Sequence, residues 1–346
     1  MWVGGRRWLA LLAMLSGLSA GTSLAAGAEA TPQPMPDDAR AWLQRIHSAA
    51  NTGNYRGTMV FSVGGAISSS RVWHFSVGDQ TFEKIEALDG RQQTVVRHND
   101  DVHTLWPQAR LAVFEKREAV FGRQATPQSV DPRALEQYRF RREADSRVAG
   151  RDAVVFVLEP RDELRFAQRL WADQASGLLL RADVLGAAAH PTLAAPVIES
   201  ASFSEVEISV RPQPRAVTDA LRALDGYKVL KPSHQRTRLD DEGWTLARAV
   251  AGFQLIGCLK RPVPNAGDGN RPDDKRALQA VFSDGLAHVS VFIEPFDLAR
   301  HKREVVSADG AMHSLTVRRH DFWITAVGDA PPAALKALAA SIERKR

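Results

Sequence analysis

Any chemistry in this chain must come from a few histidines and acids. His98, Asp100, Asp101 and His103 lie close together and have the donor types of a metal site. They straddle a turn between two strand-like runs, without the fixed ligand spacing of a metal motif. A solvated hairpin accounts for them, and no metal is assigned. His301, His313 and His320 cluster in the second domain, but three surface histidines among the ten of the chain are unremarkable by number. Beyond the leader-like first 25 residues there is no Gly-x-Ser-x-Gly elbow, no His-Glu-x-x-His and no phosphate-binding glycine loop. A triad dispersed along the chain leaves no local mark, which keeps an exported hydrolase as a third reading. Catalytic, cofactor and metal residues are assigned to none, and the chain is read as a non-enzyme. Cys258 is the one cysteine, so no intrachain disulfide can form. It sits in the apolar run from Phe253 to Leu259 and reads as a small buried hydrophobe.

The other candidate chemistry is apolar. Trp42, Ile46, Phe61, Trp73, Phe75, Phe82, Trp106, Phe114 and Trp171 concentrate in the first half of the chain. That half, from Tyr55 to Val210, is a succession of short strands. Tyr55, Gly57, Met59, Phe61 and Val63 occupy one face of a period-two pattern, and Arg56, Thr58, Val60 and Ser62 the other. Breaks such as Leu88-Asp89-Gly90, Asn99-Asp100-Asp101, Ala149-Gly150-Arg151 and Ala175-Ser176-Gly177 supply turn residues, so neighbouring strands are antiparallel. About ten such strands curl rather than stay flat. The preceding helix, from Asp37 or Asp38 to about Ala50, has an apolar stripe of Trp42, Ile46, Ala49 and Ala50. It is placed to lie in the curve. A slot between sheet and helix suits an acyl chain, whose burial contributes about 0.8 kcal/mol per methylene. The nine apolar residues named above are the expected lining of that lipid cavity.

Residues 1–25 have the form of a secretory signal: Arg6 and Arg7, then a short apolar core from Trp8 to Leu18, then Ser23-Leu24-Ala25 as a cleavage site with Ala26-Gly27-Ala28 as the alternative. No cysteine follows for lipid anchoring, and the expected product is a soluble periplasmic protein, which argues against nucleic acid as a partner. Residues 26–36 read as a disordered linker. Residues 37–211 form the first domain, with a second short helix starting at Asp131-Pro132. The loops Gly122–Val130 and Gly186–Pro196 are candidate flaps. Val210-Arg211-Pro212-Gln213-Pro214 marks the boundary, 212–225 the linker and 226–346 the second domain. There, strands are expected over 251–260, 277–282, 286–293, 312–318 and 322–327, with a mobile loop from Asn265 to Asp274. A final helix starts at Asp329-Ala330-Pro331, with a stripe of Ala334, Leu335, Leu338, Ala339 and Ile342. The net charge of +5 resides in the second part, where 212–346 holds 21 basic and 16 acidic residues against 24 and 24 before it. A basic second domain suggests an acidic partner, with Arg300, Lys302, Arg303, Arg318 and Arg319 as candidate contacts.

Several stretches together carry a resemblance. They are Asn54-Tyr55-Arg56-Gly57-Thr58-Met59-Val60-Phe61, Leu170-Trp171-Ala172-Asp173, Gly177-Leu178-Leu179-Leu180-Arg181-Ala182-Asp183, Phe282-Ser283-Asp284-Gly285-Leu286 and Val327-Gly328-Asp329-Ala330-Pro331-Pro332. In this order the chain resembles the RseB/MucB family of periplasmic regulators of the envelope-stress sigma factor. The resemblance implies an α+β fold. Its first part is a curved, unclosed antiparallel β-barrel around helices, like the LolA/LolB lipoprotein carriers. Its second is a smaller antiparallel sheet with a covering helix. It also implies that the second domain binds the periplasmic part of a membrane anti-sigma factor of the RseA/MucA type. The bound regulator shields that factor from site-1 proteolysis. Lipopolysaccharide fragments or mislocalised lipoproteins are the expected releasing ligands, and a homodimer is left open. The rival reading is a periplasmic lipid or lipoprotein carrier.

Overall fold

The structure, a computed structural model, describes residues 37–116, 136–187, 194–232, 234–262 and 276–345. The signal and linker segments, the helix expected at Asp131, the Gly122–Val130 flap, most of the Gly186–Pro196 loop and the Asn265–Asp274 loop fall outside these ranges.

The chain opens on α1 (Asp37–Thr52), which runs two residues beyond its expected end. There follow β1 (Tyr55–Val63), β2 (Ala66–Val77), β3 (Gln80–Ala87), β4 (Thr94–His98), β5 (Asp101–Trp106), β6 (Leu111–Lys116), β7 (Tyr138–Arg142) and β8 (Ser146–Val148). Next come β9 (Arg151–Pro160), β10 (Ala167–Asp173), β11 (Leu179–Leu185) and β12 (Val197–Ile208). They form one antiparallel sheet in which β1 pairs with β12, so the last strand closes back on the first and the two halves fan out from that centre. β6 lies towards one margin and β7 at the other, and the barrel stays open.

The alternation read from β1 holds in the register. Tyr55 is opposite His74 and Ile208, Met59 opposite Phe203, and Phe61 opposite Ala201. Following these pairs outward, Ala182, Leu170, Phe156 and Phe140 share the face of Phe61. That inner face carries α1: Trp42, Leu43 and Ile46 pack with Val154, Phe156, Leu158 and Leu170. Burying four such side chains stabilises the sheet by several kcal/mol, at about 1.5–3 each.

The segment expected as a linker is folded onto the first sheet. Residues of α2 (Pro214–Thr218) and the turn after it cover the outer face, with Val217 and Leu221 packed on Phe75, Phe82 and Val96. β13 (Lys228–Leu230) then adds to β6 in parallel, the one parallel pairing among the described strands of this sheet.

The second sheet contains β14 (Gln235–Arg236), β16 (Gln254–Pro262), β17 (Arg276–Ser283), β18 (His288–Pro295), β19 (Val305–Asp309), β20 (Met312–Arg319) and β21 (Phe322–Gly328). Its order is β14-β16-β17-β18-β21-β20-β19. Helix α3 (Pro332–Ser341) buries Ala334, Leu335, Leu338 and Ala339 against it, as its spacing predicts. Ile342, expected in the helix, instead turns extended and begins β22 (Ile342–Arg344), paired with β15 (Trp244–Leu246). Asp329 does not cap α3. Its Oδ1 accepts from the His288 N–H at 2.5 Å, tying β18 to the end of β21.

Candidate functional site: the inner face and the joint between the sheets

The inner face has two characters. Under α1 it is apolar. Across β1 to β4 it carries a polar row, because the register puts Tyr55 opposite His74, His74 opposite Glu83, and Glu83 opposite Arg97. The Tyr55 and His74 rings stack at 4.9 Å and 9°. His74 Nδ1 lies 2.8 Å from the Gly53 carbonyl, which can only accept, so Nδ1 bears the proton. Nε2 lies 3.8 Å from Glu83 Oε1, while Arg97 holds Glu83 Oε2 at 3.1 Å. Burial lowers the pKa of His74 despite Glu83 and raises that of Tyr55.

The nine residues expected to line one cavity divide between the two faces. Trp42 and Ile46 (on α1), Phe61 and Trp106 belong to the inner face. Trp73, Phe75, Phe82 and Phe114 fall at the opposite parity and point outward, whereas Trp171, also at the opposite parity, is buried in one cluster with Tyr55, Met59 and Phe203. Phe75 and Phe82 lie beneath the folded linker. Trp73 packs under Lys84 Nζ at 4.6 Å, Trp171 under the Arg181 guanidinium at 4.5 Å, and Phe114 meets the His103 ring at 4.1 Å. Selection by aromatic content ignored which face each residue takes.

The metal-like group is taken up separately. Asp101 pairs with Lys116 at 2.7 Å, His98 stacks on Phe82 at 4.4 Å, and His103 packs on Phe114. Among the described residues no group of three or more histidines, cysteines or acids is arranged to hold a metal. Nor do His301, His313 and His320 form a cluster. His301 is stacked on Trp323 at 4.8 Å, His313 meets Phe166, and His320 occupies a turn at φ +51°. Cys258 is buried in the α3 core, and burial pushes its thiol pKa up to about 11.

The five basic residues gather at one end of the β19–β20 hairpin. Two are engaged: Arg300 pairs with Glu294 at 3.0 Å, and Arg318 lies 3.9 Å over Phe296 with its Nε donating to the His320 carbonyl. Lys302 and Arg303 are exposed and Arg319 half-buried.

The joint between the sheets is built on a stretch that sequence reasoning marked only as part of the resemblance. Phe282-Ser283-Asp284-Gly285-Leu286 links β17 to β18. Asp284 Oδ1 accepts the N–H groups of Leu286 and Ala287 at 2.9 and 2.7 Å, and Gly285 takes φ +99°. This tight turn leaves Oδ2 free to receive Arg165 Nε, from the β9–β10 connection, at 2.6 Å. Arg165 also pairs with Asp162, donates to the Ala251 carbonyl at 2.5 Å and lies 4.8 Å over Phe253. Next to the ion pair, Leu286 enters the cluster of Trp42, Leu43, Ile46 and Tyr138. A second contact joins Gly310 to Val63 and Ile198, with the Ala311 N–H 3.4 Å from Glu199. The second sheet thus completes the core of the first.

Two family profiles match this arrangement in order: the MucB/RseB N-terminal domain over residues 38–221 and the MucB/RseB C-terminal domain over 238–343. The chain belongs to the MucB/RseB family. It is similar to the sigma factor AlgU regulatory protein MucB of Pseudomonas aeruginosa, at 30% identity over 272 residues and 77% of each chain. It is also similar to the sigma-E factor regulatory protein RseB of Escherichia coli, at 23% identity over 324 residues, 92% of this chain and 93% of that one. Among solved structures, the Pseudomonas aeruginosa MucA/MucB complex aligns with TM-score 0.66 and 26% identity, covering 89% of this chain and 99% of that one. MucB in complex with MucA(peri) aligns with TM-score 0.64 and 25% identity, over 89% and 100%. The curved open sheet and the smaller helix-covered sheet are the α+β fold that the resemblance implied. No described helix is long and apolar enough to cross a membrane.

Proposed function

We propose that this chain is a periplasmic negative regulator of an extracytoplasmic-function sigma factor. It binds the periplasmic part of a membrane anti-sigma factor of the MucA/RseA type and shields it from site-1 proteolysis. A lipid-like ligand in the first sheet releases it. The observation that carries this reading is the alignment of both sheets, in one chain and in order, with MucB in its MucA complexes.

The joint supplies a route from ligand to partner. Of the nine apolar residues, we assign Trp42, Ile46, Phe61 and Trp106 to lipid contact, because they share the inner face. An acyl chain that displaces α1 there also displaces Leu286, which packs on Trp42, and with it the turn that holds Asp284. The ligand shifts the equilibrium only to the extent that it prefers the released arrangement. A carrier needs only the first sheet. A second sheet whose Leu286 completes the core of the first fits a regulator better.

The test is co-purification of the full mature chain with the periplasmic segment of the host's MucA-type anti-sigma factor, with and without an acylated ligand. A complex that the ligand dissolves is the expected result. A complex indifferent to ligand removes the sensing role, and no complex returns the protein to the carrier reading.

A further inference from the structure

Among the described residues the second sheet ends at β19, whose one partner strand there is β20. All five of its residues are exposed, with Val306 at 50%. An edge strand leaves alternate N–H and C=O groups unpaired, and soluble proteins usually blunt such edges with charge, proline or a bulge. β19 reads Val-Val-Ser-Ala-Asp. It has no charge before its last residue and no proline, and its register with β20 is unbroken over all five pairs.

The two ends of this edge differ in charge. Lys302 and Arg303 lie just ahead of Val305, and Arg319 closes β20 at the same end. None of these three has an acidic partner among the described residues. The nearby Glu304 is occupied, its Oε1 accepting the Arg318 N–H at 2.8 Å. The other end carries Asp309 and the Gly310 turn, which packs on the first sheet. The two faces differ as well. Val306 is opposite Leu315, which belongs to the core under α3, and alternation puts Arg319 on that same face.

We propose that β19 is the docking edge for an extended, acidic segment of the partner protein, which adds to the sheet as one further strand. Main-chain bonds to β19 supply affinity, and side chains set the register. An apolar residue of the segment lies beside Val306 at the rim of the α3 core. Its acidic residues lie towards Lys302, Arg303 and Arg319, because Asp309 repels them at the opposite end. This assignment rests on the partner reading above and names the surface that serves it.

Hydrogen exchange on the full mature chain tests it, with and without a saturating amount of the anti-sigma factor's periplasmic segment, binding being confirmed by calorimetry. The expected result is that the outward-pointing amides of Val305–Asp309 slow about tenfold or more on binding. In a second arm, the triple variant Lys302→Gln, Arg303→Gln, Arg319→Gln binds about tenfold more weakly at low salt and with a shallower salt dependence. A complex that forms while β19 exchange stays unchanged overturns the docking edge and leaves the partner reading standing. No complex at all overturns both. Slow exchange in the free chain, accompanied by a dimer in sedimentation, assigns the edge to a second copy and overturns the proposal.

Discussion

Arg165 Nε and Asp284 Oδ2 meet at 2.6 Å with both side chains fully buried, 119 residues apart in sequence and on opposite sides of the joint. A buried pair of this kind contributes little net stability against an apolar pair of the same shape, because both ions lose their water. Removing one partner is another matter, since the other is left charged and dry.

Arg165→Ala is therefore expected to cost about 3–5 kcal/mol. Asp284→Asn should cost a similar amount: Oδ1 can still accept the Leu286 and Ala287 N–H groups, but the amide Nδ2 meets the Arg165 Nε–H donor against donor and leaves that charge without its carboxylate. Urea unfolding of the two single variants and the double variant would measure the coupling. Strictly additive losses would show that the two residues do not act as a pair.

Gly252 guards the same arginine. It sits at φ +75°, and a Cβ there would come within 2.3 Å of an Arg165 guanidinium nitrogen and 2.6 Å of Gln137. Gly252→Ala is expected to combine backbone strain with displacement of Arg165, at about 1–3 kcal/mol. Thermal unfolding gives the reading. A melting temperature equal to the parent's would mean that the Phe253 loop relaxes without disturbing the joint.

Leu286→Ala opens a hole in the cluster shared with Trp42, Leu43 and Ile46. Leu286 is 7% exposed, and truncation of a buried leucine costs about 2–5 kcal/mol. The effect should also appear in tryptophan emission, because Trp42 loses a neighbour and meets water. Unchanged emission with unchanged stability would separate the second sheet from the core of the first.

Much of this was legible in the chain. The alternation from Tyr55 to Val63 gave the two faces of β1, and the stripe of Trp42 and Ile46 gave the buried side of α1. The motif around Asp284 stood out before its purpose was visible. Trp73 falls on the other face of the sheet from Phe61, because aromatic content does not report parity. One residue of offset moves a strand side chain through the sheet. The pairing of Arg165 with Asp284 had no local signal, since Arg165 lies in an irregular turn and its partner is distant in the chain. β13 was equally hidden: three residues, Lys228–Leu230, carry too little pattern to show that they add to the first sheet rather than the second.

Asp329 sets a pH dependence with a definite sign. Burial pushes its pKa up to about 7; the bond from the His288 N–H opposes the rise and the neighbouring Asp284 adds to it. In an unfolded chain an aspartate titrates near about 3.9. Between these values the native state holds a proton that the unfolded chain has released. Stability from this group is full below about pH 4 and is lost as pH climbs towards 7. Glu199, raised by its burial near the Gly310 turn, acts in the same direction. His74 has the opposite sign. Its pKa is lowered by burial, so its contribution is present above the unfolded histidine value and fades as pH falls through the folded one. Asp329→Asn should remove only the first slope, so that urea midpoints between pH 5 and 7 decline less steeply than in the parent while the acid-side loss persists. Parallel curves for the two proteins would mean that Asp329 ionises as freely in the folded chain as in the unfolded one.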